Sequence, residues 1–80
     1  MIVYEVAYEK AKSLKKQIDN CIEYENGYVF GFSGDSGYYG GAGHTPVAIL
    51  KKDGKAIPFP AFLCDGTGKE IRSFEIKMET

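Results

Sequence analysis

Apolar side chains recur along the first quarter of the chain at helical spacing. Val3, Ala7, Ala11, Leu14, Ile18 and Ile22 follow one another at intervals of four, four, three, four and four, which lays a single stripe along a 3.6-residue period. Glu5 and Glu9 fall toward the start, and Lys10, Lys12, Lys15 and Lys16 toward the end, as the helix dipole favours. Asp19-Asn20 supplies a stop. The pattern predicts a helix over residues 4–18, with Tyr4 and Tyr8 beside the stripe and widening its core face.

After Asn20 the period falls to two. Ile22 and Tyr24 alternate with Glu23 and Glu25, and Tyr28, Phe30 and Phe32 alternate with Val29, Gly31 and Ser33. Asn26-Gly27 between them is the expected hairpin turn, because a type I′ turn needs positive φ at both central positions. A second hairpin is expected from residues 47–52, Asp53-Gly54 and residues 55–59, with Pro58 and Pro60 confining its last strand to an edge or ending it early. Gly66-Thr67-Gly68 marks a third turn. Residues 70–77 read as a strand with Phe74 and Ile76 facing in. Ile71 breaks that alternation, so a short helix there stays open.

This order predicts one α+β domain spanning residues 1–80. An N-terminal amphipathic helix covers one face of an antiparallel sheet of four or five strands. Composition agrees with a folded chain: 80 residues, 44% hydrophobic and 26% charged. The net charge of −1 supplies no general attraction to phosphate backbones and argues against a nucleic-acid partner. No apolar run approaches the roughly 18 residues that span a bilayer. Two glutamates come early and the lysines follow the apolar residues, the reverse of a signal peptide's order, so a cytoplasmic location is expected.

One segment stands apart. Six of the ten glycines lie in GFSGDSGYYGGAG, residues 31–43, with Tyr38-Tyr39 near its middle. Binding residues concentrate on loops, and tyrosine offers a large amphipathic contact surface at small entropic cost. Asp35, Tyr38, Tyr39 and His44 are therefore the candidate binding residues. The structural alternative is that one tyrosine folds back to cap the core while the glycines serve turns.

The chemical motifs this loop imitates are incomplete. Gly34-Asp35-Ser36-Gly37 looks like the setting of a serine nucleophile, but a base held by a carboxylate and an oxyanion hole are also needed. Residues 40–45 lack the lysine and the spacing of a phosphate loop. One histidine beside Asp35 makes no metal site. Cys21 and Cys64, 43 positions apart, read as two buried thiols acting as small hydrophobes. Glu23 and Glu25 are expected on an exposed strand face, with nothing to raise the pKa of either. Lys51, Lys52 and Lys55 are expected at a solvated hairpin tip. No catalytic residue, metal or cofactor is assigned.

Gly27-Tyr28-Val29-Phe30, a glycine-containing loop, and Thr45-Pro46-Val47 leading into an apolar strand with a Lys52-Asp53-Gly54 turn together resemble the YrhB-like family of bacterial immunity proteins. The likeness runs over residues 7–76. It implies a helix followed by an antiparallel sheet, and a non-catalytic protein that neutralises a toxin or enzyme by binding it in the cytoplasm. The layout is also similar to that of cystatin-like inhibitors, without their Q-x-V-x-G wedge. Tyr38-Tyr39 maps onto no motif of either family. The expected function is protein binding. The alternative is a small accessory domain that associates through a sheet edge, with a homodimer open.

Overall fold

The computed structural model describes residues 1–15, 17–32 and 46–77. Helix α1 spans Tyr4–Leu14 and is followed by β1 (Asn20–Tyr24), β2 (Gly27–Gly31), β3 (Val47–Leu50), β4 (Ala56–Pro58), α2 (Phe59–Asp65) and β5 (Glu70–Glu75). The strands form one antiparallel sheet in the order β4-β3-β2-β1-β5. The α+β class is as predicted, and the five strands among the described residues fall within the four or five expected.

α1 begins where expected but ends four residues early, because Lys15 turns extended (φ −134°, ψ 111°) while its N–H still bonds Ala11 O. Ile18 nevertheless reaches the core from this extended stretch. The inward stripe is also rotated from its expected position. Ala7 and Ala11 are fully buried, Tyr4 and Tyr8 pack beside them, and Val3 and Leu14 are 56% exposed. Two alanines at the contact let the helix lie close to the sheet, and the tyrosines fill the space alongside. Tyr4 has ring centroids at 5.4 Å from Phe74, 5.9 Å from Phe30 and 5.9 Å from Tyr28, the tilted and edge-on spacings that aromatic quadrupoles favour.

The first hairpin forms with its turn one residue earlier than expected. Tyr24 pairs with Gly27, so Glu25 and Asn26 make the turn, and neither has positive φ. Long-range contacts hold this turn. Glu25 N donates to Lys69 O, Asn26 N to Thr67 O, and Lys69 N to Glu25 Oε1. Gly27 serves packing instead of the turn: a Cβ there would stand 2.9 Å from Ile49 O and 3.0 Å from the Phe62 ring.

The second hairpin turns over four residues, 51–54, instead of through Asp53-Gly54 alone: β3 ends at Leu50, Leu50 N donates to Lys55 O and Gly54 N to Leu50 O, with Gly54 at φ 75° and Lys55 N donating to Asp53 Oδ1. β4 is a three-residue edge strand ending at Pro58. The segment that follows was not anticipated. α2 starts after Pro58, carries a proline in its first turn and stops at Gly66, φ 100°. Its boundaries follow the tendency of proline to open helices and glycine to close them, although seven residues are too few for a legible stripe.

α2 corrects the expectation of one covered face. It packs Phe62 with Val29 and Ala48 on the sheet face opposite α1. It also carries the chain from the β4 edge to the β1 edge. β5 then adds antiparallel to β1 as a strand, which excludes the short helix. Phe74 and Ile76 pack into the α1-side core. Ile71 is an odd number of residues from Phe74 and so falls on the opposite side of the strand, beside a one-residue register shift at Glu23/Tyr24, where it is 54% exposed.

Candidate functional site

The sheet register gathers three charged side chains on the α1 face. Glu23 lies opposite Tyr28 on β2 and opposite Arg72 on β5. Lys51, one residue beyond β3, continues the face of Ile49. Lys51 Nζ donates to Glu23 Oε2 at 2.7 Å and Arg72 Nε to Glu23 Oε1 at 2.8 Å, so both carboxylate oxygens are engaged. The ammonium also sits 5.0 Å from the centroid of the Tyr28 ring. This corrects two expectations. Glu23 is not on a free solvated face, and Lys51 is not a solvated tip: their side chains are only 14% and 8% exposed. Lys52 and Lys55 are exposed as expected, and Glu25 is exposed with its carboxylate holding the Lys69 amide.

The backbone explains how a lysine comes to be buried here. Lys51 N donates to Asn26 O at 3.0 Å, and Lys51 O accepts from Ile2 N at 2.9 Å. Its main chain is therefore pinned between the first hairpin turn and the N-terminal segment, and its apolar stem lies under that cover with the charge delivered to Glu23.

The electrostatics follow from these contacts. The hydrogen bond from Lys51, supported by Arg72, holds the Glu23 carboxyl below its ordinary range despite the opposing effect of burial. Arg72 is raised in turn by its bond to Glu23. Burial, with Glu23 adding to it, pushes the Tyr28 hydroxyl up and drives the Cys21 thiol to about 12. Burial also raises Tyr4. A carboxylate held ionised by two donors is a poor proton donor at neutral pH and a good strut between three strands.

Beside this strut lies a cleft of about 530 Å³, bordered by Glu25, Asn26, Lys51, Lys52 and Asp65. Acidic and basic residues both border it, and the Lys51 ammonium and Glu25 carboxylate already hold Glu23 and the Lys69 amide, so no one sign of charge dominates. Among the described residues no three of His, Cys, Asp and Glu group as a metal would require. Both cysteines are free, and Cys21 is buried as expected, but Cys64 is exposed: it lies near the end of α2, whose one buried side chain is Phe62.

Asp35, Tyr38, Tyr39 and His44 lie outside the described residues. The structure instead brings together Glu23, Lys51 and Arg72, which sequence reading left apart. A signal existed in the alternation: Glu23 is two residues from Cys21 and Lys51 two from Ile49, so each shares a face with a core residue. No helix among the described residues is long and apolar enough to cross a membrane. No protein-family model, curated protein or solved structure matches the chain significantly.

Proposed function

We propose that this chain is a non-catalytic binding protein of the immunity-protein or inhibitor kind, acting in the cytoplasm by surface contact with a toxin or enzyme. The observation that carries this reading is the outer flank of α1. Val3, Val6 and Leu14 are 56%, 55% and 56% exposed. At about 100° per residue they share an arc of roughly 80° with Lys10. Large apolar side chains aligned on solvent, in a chain with a small core, are what a protein-binding face presents. Lys10 at the middle of the stripe suits a partner offering an apolar strip with an acidic group opposite it. The internally matched Glu23 supports the same reading, since its carboxylate serves the fold.

Capture from a lysate of the cells that make the protein tests this. The bait is the full chain as wild type, as the Val6→Asp, Leu14→Asp variant, or as the Tyr38→Ala, Tyr39→Ala variant. A toxin or enzyme retained by wild type and lost with the helix variant is the expected result. Equal recovery with both variants, or recovery of no such protein by wild type, overturns the proposal. Association through a sheet edge is a second reading, favoured by the unequal edges: β4 has three residues and ends in proline, whereas β5 has six and is mostly exposed.

A further inference from the structure

The two edges of the sheet differ in what they offer another strand. At the β4 edge, Leu50 N bonds Lys55 O and Phe59 N bonds Pro46 O. Alternation then directs Ile57 toward β3 as well, leaving Ala56 and Pro58 to face outward. Pro58 has no N–H, so Ala56 carries the single outward donor of β4. At the other edge, Ile76 N bonds Asp19 O, which places Ile76, Phe74 and Arg72 toward β1 in the register observed. Ile71, Ser73 and Glu75 therefore turn their N–H and C=O groups outward. Among the described residues no strand pairs with them, and β5 is exposed at every position except Phe74. A row of unpaired main-chain groups of this kind templates strand addition.

We infer that the outer edge of β5 pairs with β5 of a second copy, antiparallel about a two-fold axis through Phe74. This rests on the sheet-edge reading and specifies its edge, its partner and its register.

The charges of β5, its bulge and its length together select the register. A two-fold antiparallel pair that continues the sheet sets each residue opposite one of the same face, so the two residue numbers in a pair sum to an even number. Centring on Arg72 opposes arginine to arginine. Centring on Ser73 opposes Lys69 to Lys77, and centring on Glu75 opposes glutamate to glutamate. Centring on Ile71 or Ile76 also avoids like charges, but the first sets the bulge on the axis and the second pairs β5 mostly with residues past its end. Centring on Phe74 avoids both faults and opposes no like charges: Ser73 meets Glu75, Ile71 meets Lys77, Arg72 meets Ile76, and Phe74 meets its own copy. The outward-facing Ser73 and Glu75 then exchange main-chain hydrogen bonds on both sides of the axis, and the Ser73 hydroxyl can donate to the Glu75 carboxylate. The axis stands perpendicular to the sheet, so both α1 helices lie on one side of a ten-stranded sheet, twice the five of one chain. A net charge of −1 leaves little long-range repulsion between copies.

Sedimentation equilibrium of the full chain between about 1 μM and 1 mM tests the association. The mass should rise from 8.8 kDa toward twice that value. Position 71 is exposed and meets Lys77 of the second copy, so Ile71→Lys should weaken the dimer about threefold to tenfold and Ile71→Glu should strengthen it. For the register, Ser73→Cys and Glu75→Cys chains, each also carrying Cys64→Ser, are mixed under mild oxidation. A disulfide between the two kinds of chain is expected, and none between two Ser73→Cys chains. A monomer at every concentration overturns both the inference and the edge reading. A dimer indifferent to both position-71 variants overturns β5 as the edge while leaving association itself standing. Self-linking of the Ser73→Cys chain overturns the register alone.

Discussion

Lys51 Nζ and Glu23 Oε2 stand 2.7 Å apart, although 28 residues separate them in the chain. The ammonium is delivered by the turn after β3 and the carboxylate by the middle of β1, so the contact bridges across β2 and lies over Tyr28. Arg72 closes the same carboxylate from β5. One glutamate therefore ties together both sides of the strand pair that carries the core.

Glu23→Gln should lower stability by about 2 kcal/mol, since it leaves the nearly buried Lys51 ammonium without its counter-charge. Equilibrium urea unfolding at pH 7 measures the difference. The pH dependence identifies the cause. A carboxyl held below its unfolded value, about 4.3, contributes its full stability above that value and loses it as pH falls through the lower folded one. The gap between wild type and Glu23→Gln should therefore narrow below about pH 4.

Gly27→Ala should destabilise the protein by about 1–3 kcal/mol through overpacking against Phe62 and Ile49 O. A turn role for Gly27 would predict a loss independent of Phe62. A double-mutant cycle with Phe62→Leu separates the two, and a coupling of about 1 kcal/mol is expected from the shared contact.

Ala11→Leu and Leu14→Lys should behave oppositely to what hydrophobicity alone suggests. Ala11 has no exposed surface, and a larger side chain would force α1 off the sheet, at about 1–3 kcal/mol. Leu14 is mostly exposed, so its charged replacement should stay within about 0.5 kcal/mol of wild type. Thermal unfolding of both variants checks the rotation of the α1 stripe.

The two thiols should separate in reactivity. A maleimide reagent at neutral pH should add to Cys64 in the folded chain and reach Cys21 only after unfolding, read as one and two adducts by mass. The raised Cys21 thiol also makes stability fall in alkali. Its contribution is complete below the unfolded thiol value of about 8.5 and is lost as pH rises toward the folded value of about 12. Cys21→Ala should flatten that part of the stability curve.

Local pattern made several features legible. The start of α1, the two hairpins, the positive φ of Gly54, the edge position of β4 and the inward Phe74 and Ile76 each depend on residues a few positions apart. Features set by distant partners were not legible in the same way. Asn26-Gly27 is a strong local turn signal, yet the turn forms at Glu25–Asn26, where Lys69 and Thr67 satisfy its backbone and Phe62 needs the bare Gly27 beneath it. The candidate site divides along the same line: its alternation was present in the chain, but its pairing was not.

By itself the sequence determined that one helix and a set of paired strands must form, because periodicities of 3.6 and two residues act within single segments. Only the tertiary structure decided that α2 covers the second face, that Lys51 is drawn into the interior and that Glu23 receives it. Alternation divides a strand's residues between two faces but does not say what will cover each face. That is settled when segments far apart in the chain compete to bury the same surface.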